Sequence, residues 1–174
     1  ERRRALILDW IRNHESGIGW DSHPTSLRLV SWGKLLLDAE KLSLDEADLA
    51  EISRSLARQA DTLQANLEVR LQANHLFSNR VGLVFAGLLF SGPGADRWLD
   101  QSAALVREIG IQFNDDGGHE ERSPMYHSLL LESLLDLLNL ARARPDRAPD
   151  DLVRNLEEFS SRGLSALELW CHPD

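Results

Sequence analysis

The chain has 174 residues, 43% of them hydrophobic, and a formal net charge of -9. That length supports one domain with a core of its own, and the acidic balance argues against a non-specific nucleic-acid binder, whose affinity rests on neutralising phosphates. Cys171 is the only cysteine, which excludes an internal disulfide and a cysteine-rich zinc site, and the apolar run Val81–Phe90 is too short to span a bilayer.

Leucine dominates and β-branched residues are sparse, a bias towards helix. Arg4–His14 carries Leu6, Ile7, Trp10 and Ile11 at helical spacing, and Gly17 and Gly19 break it. Pro24 and Thr25 start a second helix, with Leu27, Leu29, Val30, Leu35 and Leu36 as apolar positions and Gly33 inside. Asp45 opens a long helix to about Ala73, striped by Leu49, Ile52, Leu56, Leu63, Leu67 and Leu71. Asn74 interrupts it or caps the next helix, His75–Phe90. Asp96 caps a helix to about Phe113, and Asp115–Ser123 is a polar loop containing Gly117 and Gly118. Pro124 fits the first turn of a helix through Leu140, followed by a turn at Arg144–Pro149. Asp150 or Asp151 begins another helix through Phe159, and Gly163 introduces a short terminal one. About seven helices with short loops and no βαβ alternation predict an all-α fold. Helical hairpins lie side by side, as a curved array or incomplete toroid in preference to a four-helix bundle.

Two segments place polar groups beside apolar stripes. In Asn74-His75-Leu76, an asparagine at a helix start lies near free N–H groups and suits an anion such as a sugar carboxylate. The plainer reading is an Asn cap followed by a structural histidine. In DDGGHEERSPMYH, Asp116, His119, Glu121, Arg122, Tyr126 and His127 crowd one loop and one helix start. Arg122 either pairs bidentately with a carboxylate or sulfate of a ligand, or holds Glu121 or Asp116 in a loop salt bridge. Tyr126 either supplies a phenol for acid–base work or is a half-buried structural tyrosine. His119-Glu120 begins like a zinc signature, but Ser123 stands where its second histidine belongs. A meeting of His75, His119 and His127 in space stays open, and no metal is assigned. Trp20, Trp32 and Trp98 sit near loops or polar turns, and Arg28 shares a helix face with Trp32. These aromatics either stack on sugar rings or pack in the core.

Three segments, GWDSHPTSLRLVSWGK at Gly19–Lys34, NHLFSN at Asn74–Asn79 and QFNDDGGHEERSPMYH at Gln112–His127, together resemble the helical domain of the heparinase II/III-like polysaccharide lyases. The resemblance runs from about Trp10 to Ala143. It implies an incomplete (α/α) toroid of helical hairpins, and a chain that is a fragment of a longer enzyme whose C-terminal β-sandwich domain is not among these residues. It further implies cleavage of uronic-acid-containing acidic polysaccharides by β-elimination in a cleft between the two domains. Asn74 and His75 would neutralise the uronate carboxylate, and Tyr126 would act at the glycosidic oxygen. Trp20, Arg28, Trp32, Glu121, Arg122 and His127 would support or bind substrate. The resemblance calls for no redox cofactor, no metal in the chemistry and no nucleic-acid or membrane partner, and it implies a periplasmic or secreted bacterial protein. The alternative is a non-catalytic helical module that binds glycans or proteins.

Overall fold

The computed structural model describes residues 2–71 and 73–170, so the expectation attached to Cys171 lies outside the described residues. Among the described residues eight α-helices follow in order: α1 (Arg2–Asn13), α2 (Ser22–Leu37), α3 (Glu46–Ala65), α4 (Ala73–Leu89), α5 (Pro93–Leu99), α6 (Ser102–Gln112), α7 (Pro124–Ala143) and α8 (Asp150–Trp170). Single 3-10 turns at Ile18–Trp20 and Ala39–Leu42 flank α2. No strand forms among the described residues; an isolated antiparallel bridge joins Phe113 to His119.

The expected helices exist, and three boundaries differ from expectation. α3 begins where its cap predicts: Asp45 accepts from the Asp48 N–H at 2.9 Å, and the Asp48 carboxylate accepts from the Asp45 N–H. It stops at Ala65, well short of Ala73, because Asn66 takes the C-cap and its carbonyl accepts from the Ser22 hydroxyl. Leu71, counted into the stripe, is 64% exposed. The helix expected from Asp96 to Phe113 is two helices. Gly92, with φ 101°, caps α5 and Pro93 opens it. Asp96 therefore lies inside the first turn, where Arg147 binds its carboxylate at 2.9 Å. The last correction is α8, which runs unbroken through Gly163.

From Val81 onwards α4 is apolar around its whole circumference, as befits a helix covered on every side. Leu83 and Ala86 face a core with Ile7, Leu29, Ile52, Leu56, Leu63 and Trp98, drawn from α1, α2, α3 and α5. Phe77, Val84, Phe85 and Leu88 face a second core with Leu105, Ile109, Leu134, Leu137 and Leu156, drawn from α6, α7 and α8. Glycine permits the closest approach to α2. A Cβ on Gly82 would stand 3.0 Å from the Ser26 Cα. The helix-propensity cost of an interior glycine, about 1 kcal/mol, is offset by bringing α2 and α4 into contact. That contact sets the first residues of both helices side by side.

Candidate functional site

Beside that contact a cleft of about 450 Å³ opens between α2, α4 and α7. α2 contributes His23, Ser26 and Lys34, α4 contributes Asn74, His75 and Ser78, and α7 contributes Tyr126, Leu129 and Asp136. Ser123 and Pro124 start α7 so that Tyr126 falls in its first turn: the Ser123 hydroxyl accepts from the Tyr126 N–H at 3.4 Å.

The two polar segments of the sequence meet here. The Asn74 side-chain amide donates to Glu121 Oε1 at 3.1 Å across the gap between α4 and the loop before α7. Asn74 Oδ1 is buried without a partner. An amide nitrogen carries two hydrogens, so Glu121 orients the group and leaves one donor over. His75 Nδ1 lies 3.2 Å from Glu68 Oε1. An ionised Glu68 selects the tautomer with hydrogen on Nδ1 and leaves the His75 Nε2 lone pair unclaimed. Glu68 is itself held twice by the fully buried Asn79, which donates to Glu68 Oε2 at 3.0 Å and accepts from the Glu68 N–H at 2.9 Å. His23 stacks on His75 with centroids 4.3 Å apart. Burial, followed by the like charge of His75, lowers the His23 pKa, against a smaller pull upwards from Glu68. Tyr126 is 38% exposed, and its hydroxyl has no partner among the described residues. Lys34 is claimed by Asp136 at 2.6 Å and approached by Glu132 at 3.9 Å, so the far wall of the cleft is not cationic.

The remaining residues singled out from the sequence lie elsewhere. Trp20, Arg28 and Trp32 are on the opposite flank of α2 and none of them lines the cleft. The Arg28 guanidinium sits 4.1 Å over Trp10 and 5.9 Å from the Trp32 ring centre, and it donates to Gln59 at 2.8 Å. Burial pulls its pKa down to about 10. Trp20 packs on Trp10 at 5.7 Å and donates to the His14 carbonyl at 2.7 Å. These contacts fasten α1 and α3 to α2. Arg122 has a left-handed backbone, φ 52°, and pairs with no carboxylate among the described residues. It lines a separate depression with Asp116, His119 and Trp170.

His127 is fully buried behind α7, with Nε2 2.9 Å from the Gly163 carbonyl and its ring edge-on to Trp170 at 4.7 Å. His119 is buried too, and its Nε2 lies 3.2 Å from Gln112. The chain of polar contacts continues through Glu108 to Arg80. His119 and His127 both flank Phe113, while the histidine beside His75 is His23. Sequence reasoning missed His23, Glu68 and Asn79. One signal was available for His23: with Ser26, Leu27 and Val30 it repeats at helical spacing, marking a mixed polar and apolar face on α2.

Among proteins of known structure, a heparan sulfate lyase, HepC from Pedobacter heparinus, superposes with a TM-score of 0.68 at 25% identity over 98% of this chain and 28% of its own. Heparinase III superposes with a TM-score of 0.74 at 20% identity over 98% of this chain and 27% of its own, a likeness of fold. FtsZ-localized protein C of Caulobacter vibrioides (strain NA1000 / CB15N) is 28% identical over 92% of this chain and 32% of its own length. The chain thus spans about a third of that relative. The heparinase II/III N-terminus family profile matches residues 9–165. Matched over most of its length, and built as an incomplete all-helical (α/α) toroid, the chain belongs to the heparinase II/III N-terminal family.

Proposed function

We propose that this chain is the helical wall of a polysaccharide lyase cleft that breaks uronic-acid-containing glycans by β-elimination. The observation that carries the reading is that the neighbours Asn74 and His75 and the sequence-distant Tyr126 line one cleft. In this reading the uronate carboxylate sits against the free Asn74 N–H and against His75 carrying a second proton, which donates from Nε2 while its Nδ1–H stays on Glu68. Donors aimed there draw off the charge that develops when the C5 proton is removed, the largest barrier of the reaction. The electron pair of the C5–H bond forms the C4–C5 double bond. The bond from C4 to the glycosidic oxygen breaks, and the Tyr126 phenol protonates the departing oxygen. The base is Tyr126 in its ionised form, which returns to the phenol as it takes the proton, or a group from a further domain. Because the chain spans only 27–28% of the solved lyases, a β-sandwich closing the other side of the cleft belongs to the proposal, as does a periplasmic or secreted location. Trp20, Arg28, Trp32 and His127 then act by holding the helices, and Glu121 by orienting Asn74.

One observation favours a second reading, a glycan- or protein-binding module without turnover. The Glu121 carboxylate already occupies one Asn74 donor and opposes a second negative charge there. FtsZ-localized protein C is named for where it is found, not for a reaction.

The test is ultraviolet absorbance of the unsaturated uronate product, using the full-length native protein and a panel of uronic-acid polysaccharides. A rise that Tyr126→Phe abolishes, and that Asn74→Ala reduces by about 10²–10³-fold, supports the lyase. Near-normal turnover by Tyr126→Phe sinks the assigned role. Saturable binding with no new double bond supports the module.

A further inference from the structure

We propose that His23, Glu68 and His75 form a binding site for one divalent transition-metal ion of the zinc class on the wall of the cleft. One ring nitrogen from each histidine and one carboxylate oxygen from Glu68 lie within 4.8 Å of one another. Two imidazoles and a carboxylate are a donor set that suits zinc, leaving a fourth position for water or a ligand. Magnesium and calcium prefer oxygen donors throughout.

The spacing is right in its best-defined edge. His75 Nδ1 and Glu68 Oε1 are 3.2 Å apart, and a tetrahedral ion with bonds of about 2.1 Å needs its ligand atoms about 3.4 Å apart; the ion takes the place of the Nδ1 hydrogen, and the ring carries its hydrogen on Nε2 instead. The carboxylate is also braced as a metal ligand usually is. Asn79, fully buried, binds the other oxygen, Oε2, at 3.0 Å and the Glu68 N–H at 2.9 Å. On α2, the Nδ1 atom of His23 is buried with no partner. A buried nitrogen of this kind is an exception that asks for an explanation, and repositioning of His23 around an ion supplies one. The two rings now stack with planes 22° apart. Imidazole lone pairs lie in the ring plane, so coordination opens the stack and turns both rings towards the ion. The site rests on these residues alone and does not depend on the lyase reading.

The experiment is titration of the chelator-stripped protein with cobalt(II) alone, followed by ligand-field absorption, then displacement by zinc(II). One equivalent should bind, with the intense visible bands of a four- or five-coordinate ion. His23→Gln and Glu68→Gln should each weaken cobalt binding by about tenfold or more, while His14→Gln, away from the cluster, leaves it unchanged. Far-UV circular dichroism checks that each variant keeps its helices. A folded wild-type protein that develops no cobalt bands overturns the proposal. So does binding that a folded His23→Gln variant retains at full strength, because the ion then sits elsewhere.

Discussion

Asn79 shows how much a single buried amide organises. It ties the Glu68 backbone and carboxylate together, and Glu68 in turn holds His75. Asn79→Ala leaves the N–H and one carboxylate oxygen of the half-buried Glu68 unsatisfied, at a cost of about 1–3 kcal/mol. A urea titration followed by circular dichroism measures it, and an unchanged midpoint would mean that water replaces the amide without loss. Gly117 is a second residue with one permitted identity. Its φ is 84°, and a Cβ there would fall 2.3 Å from the Arg162 carbonyl oxygen on α8. Gly117→Ala combines left-handed strain with a backbone collision, and should cost about 2–4 kcal/mol in the same assay. The sequence made Asn74, His75, Glu121 and Tyr126 legible as a group, because polar residues interrupted apolar periodicity. It made His119 and His127 equally conspicuous, yet both are buried. A histidine in a polar loop looks the same in sequence whether its ring points into the cleft or behind it.

At the level of elements, periodicity revealed which segments are helical but mistook what interior glycines mean. Gly163 reads as a break because glycine is a poor helix former. In the fold it is the position where α8 passes α7: a Cβ would meet Leu131 Cδ1 at 2.9 Å and His127 Cε1 at 3.7 Å. Gly163→Ala should therefore destabilise by about 1–3 kcal/mol through overpacking, although the same change on an open helix face would stabilise. Equilibrium urea unfolding decides the sign. A stabilised variant would show that Leu131 shifts aside without penalty. The early end of α3 was illegible for a different reason. Leu67 and Leu71 continue the helical spacing, and only the tertiary bonds of Asn66 and Glu68 show that the chain has left the helix.

Across the whole molecule, two cores share α4; the buried His119 and His127 both pack on Phe113 of one of them, and His23 lies half-buried on α2. The pKa of His119 is lowered by burial first and by His127, against upward pulls from Glu121 and Glu120. That of His23 is lowered by burial first and by His75. A histidine with a lowered folded pKa favours the neutral form, so the unfolded chain takes up protons more readily. The stabilisation is fully present above the unfolded value of 6.5 and is lost as pH falls from there towards the folded value. A separate loss follows at lower pH. Asp48 has its pKa lowered first by the hydrogen bond from Arg4, so its share is present above 3.8 and disappears as pH falls through the folded value. Stability measured by urea midpoint should decline in two stages on acidification. His119→Gln should flatten the first stage and leave the second. Equal slopes for the variant and the wild type in the first stage would assign that stage to other groups.

The distribution of indoles has an optical consequence. Trp20 and Trp32 pack on Trp10 with ring centres 5.7 and 5.3 Å away, Trp98 is buried against Phe90 at 6.3 Å, and Trp170 abuts His127. No tryptophan lines the cleft. Intrinsic fluorescence and the exciton signal of the Trp10 group thus report on how α1, α2 and α3 are clasped, and stay nearly dark to anything that enters beside Tyr126. A glycan titration followed by emission would look flat even at saturation. Replacing the exposed cleft residue Leu129 by tryptophan places an emitter at the mouth and turns occupancy into a visible change.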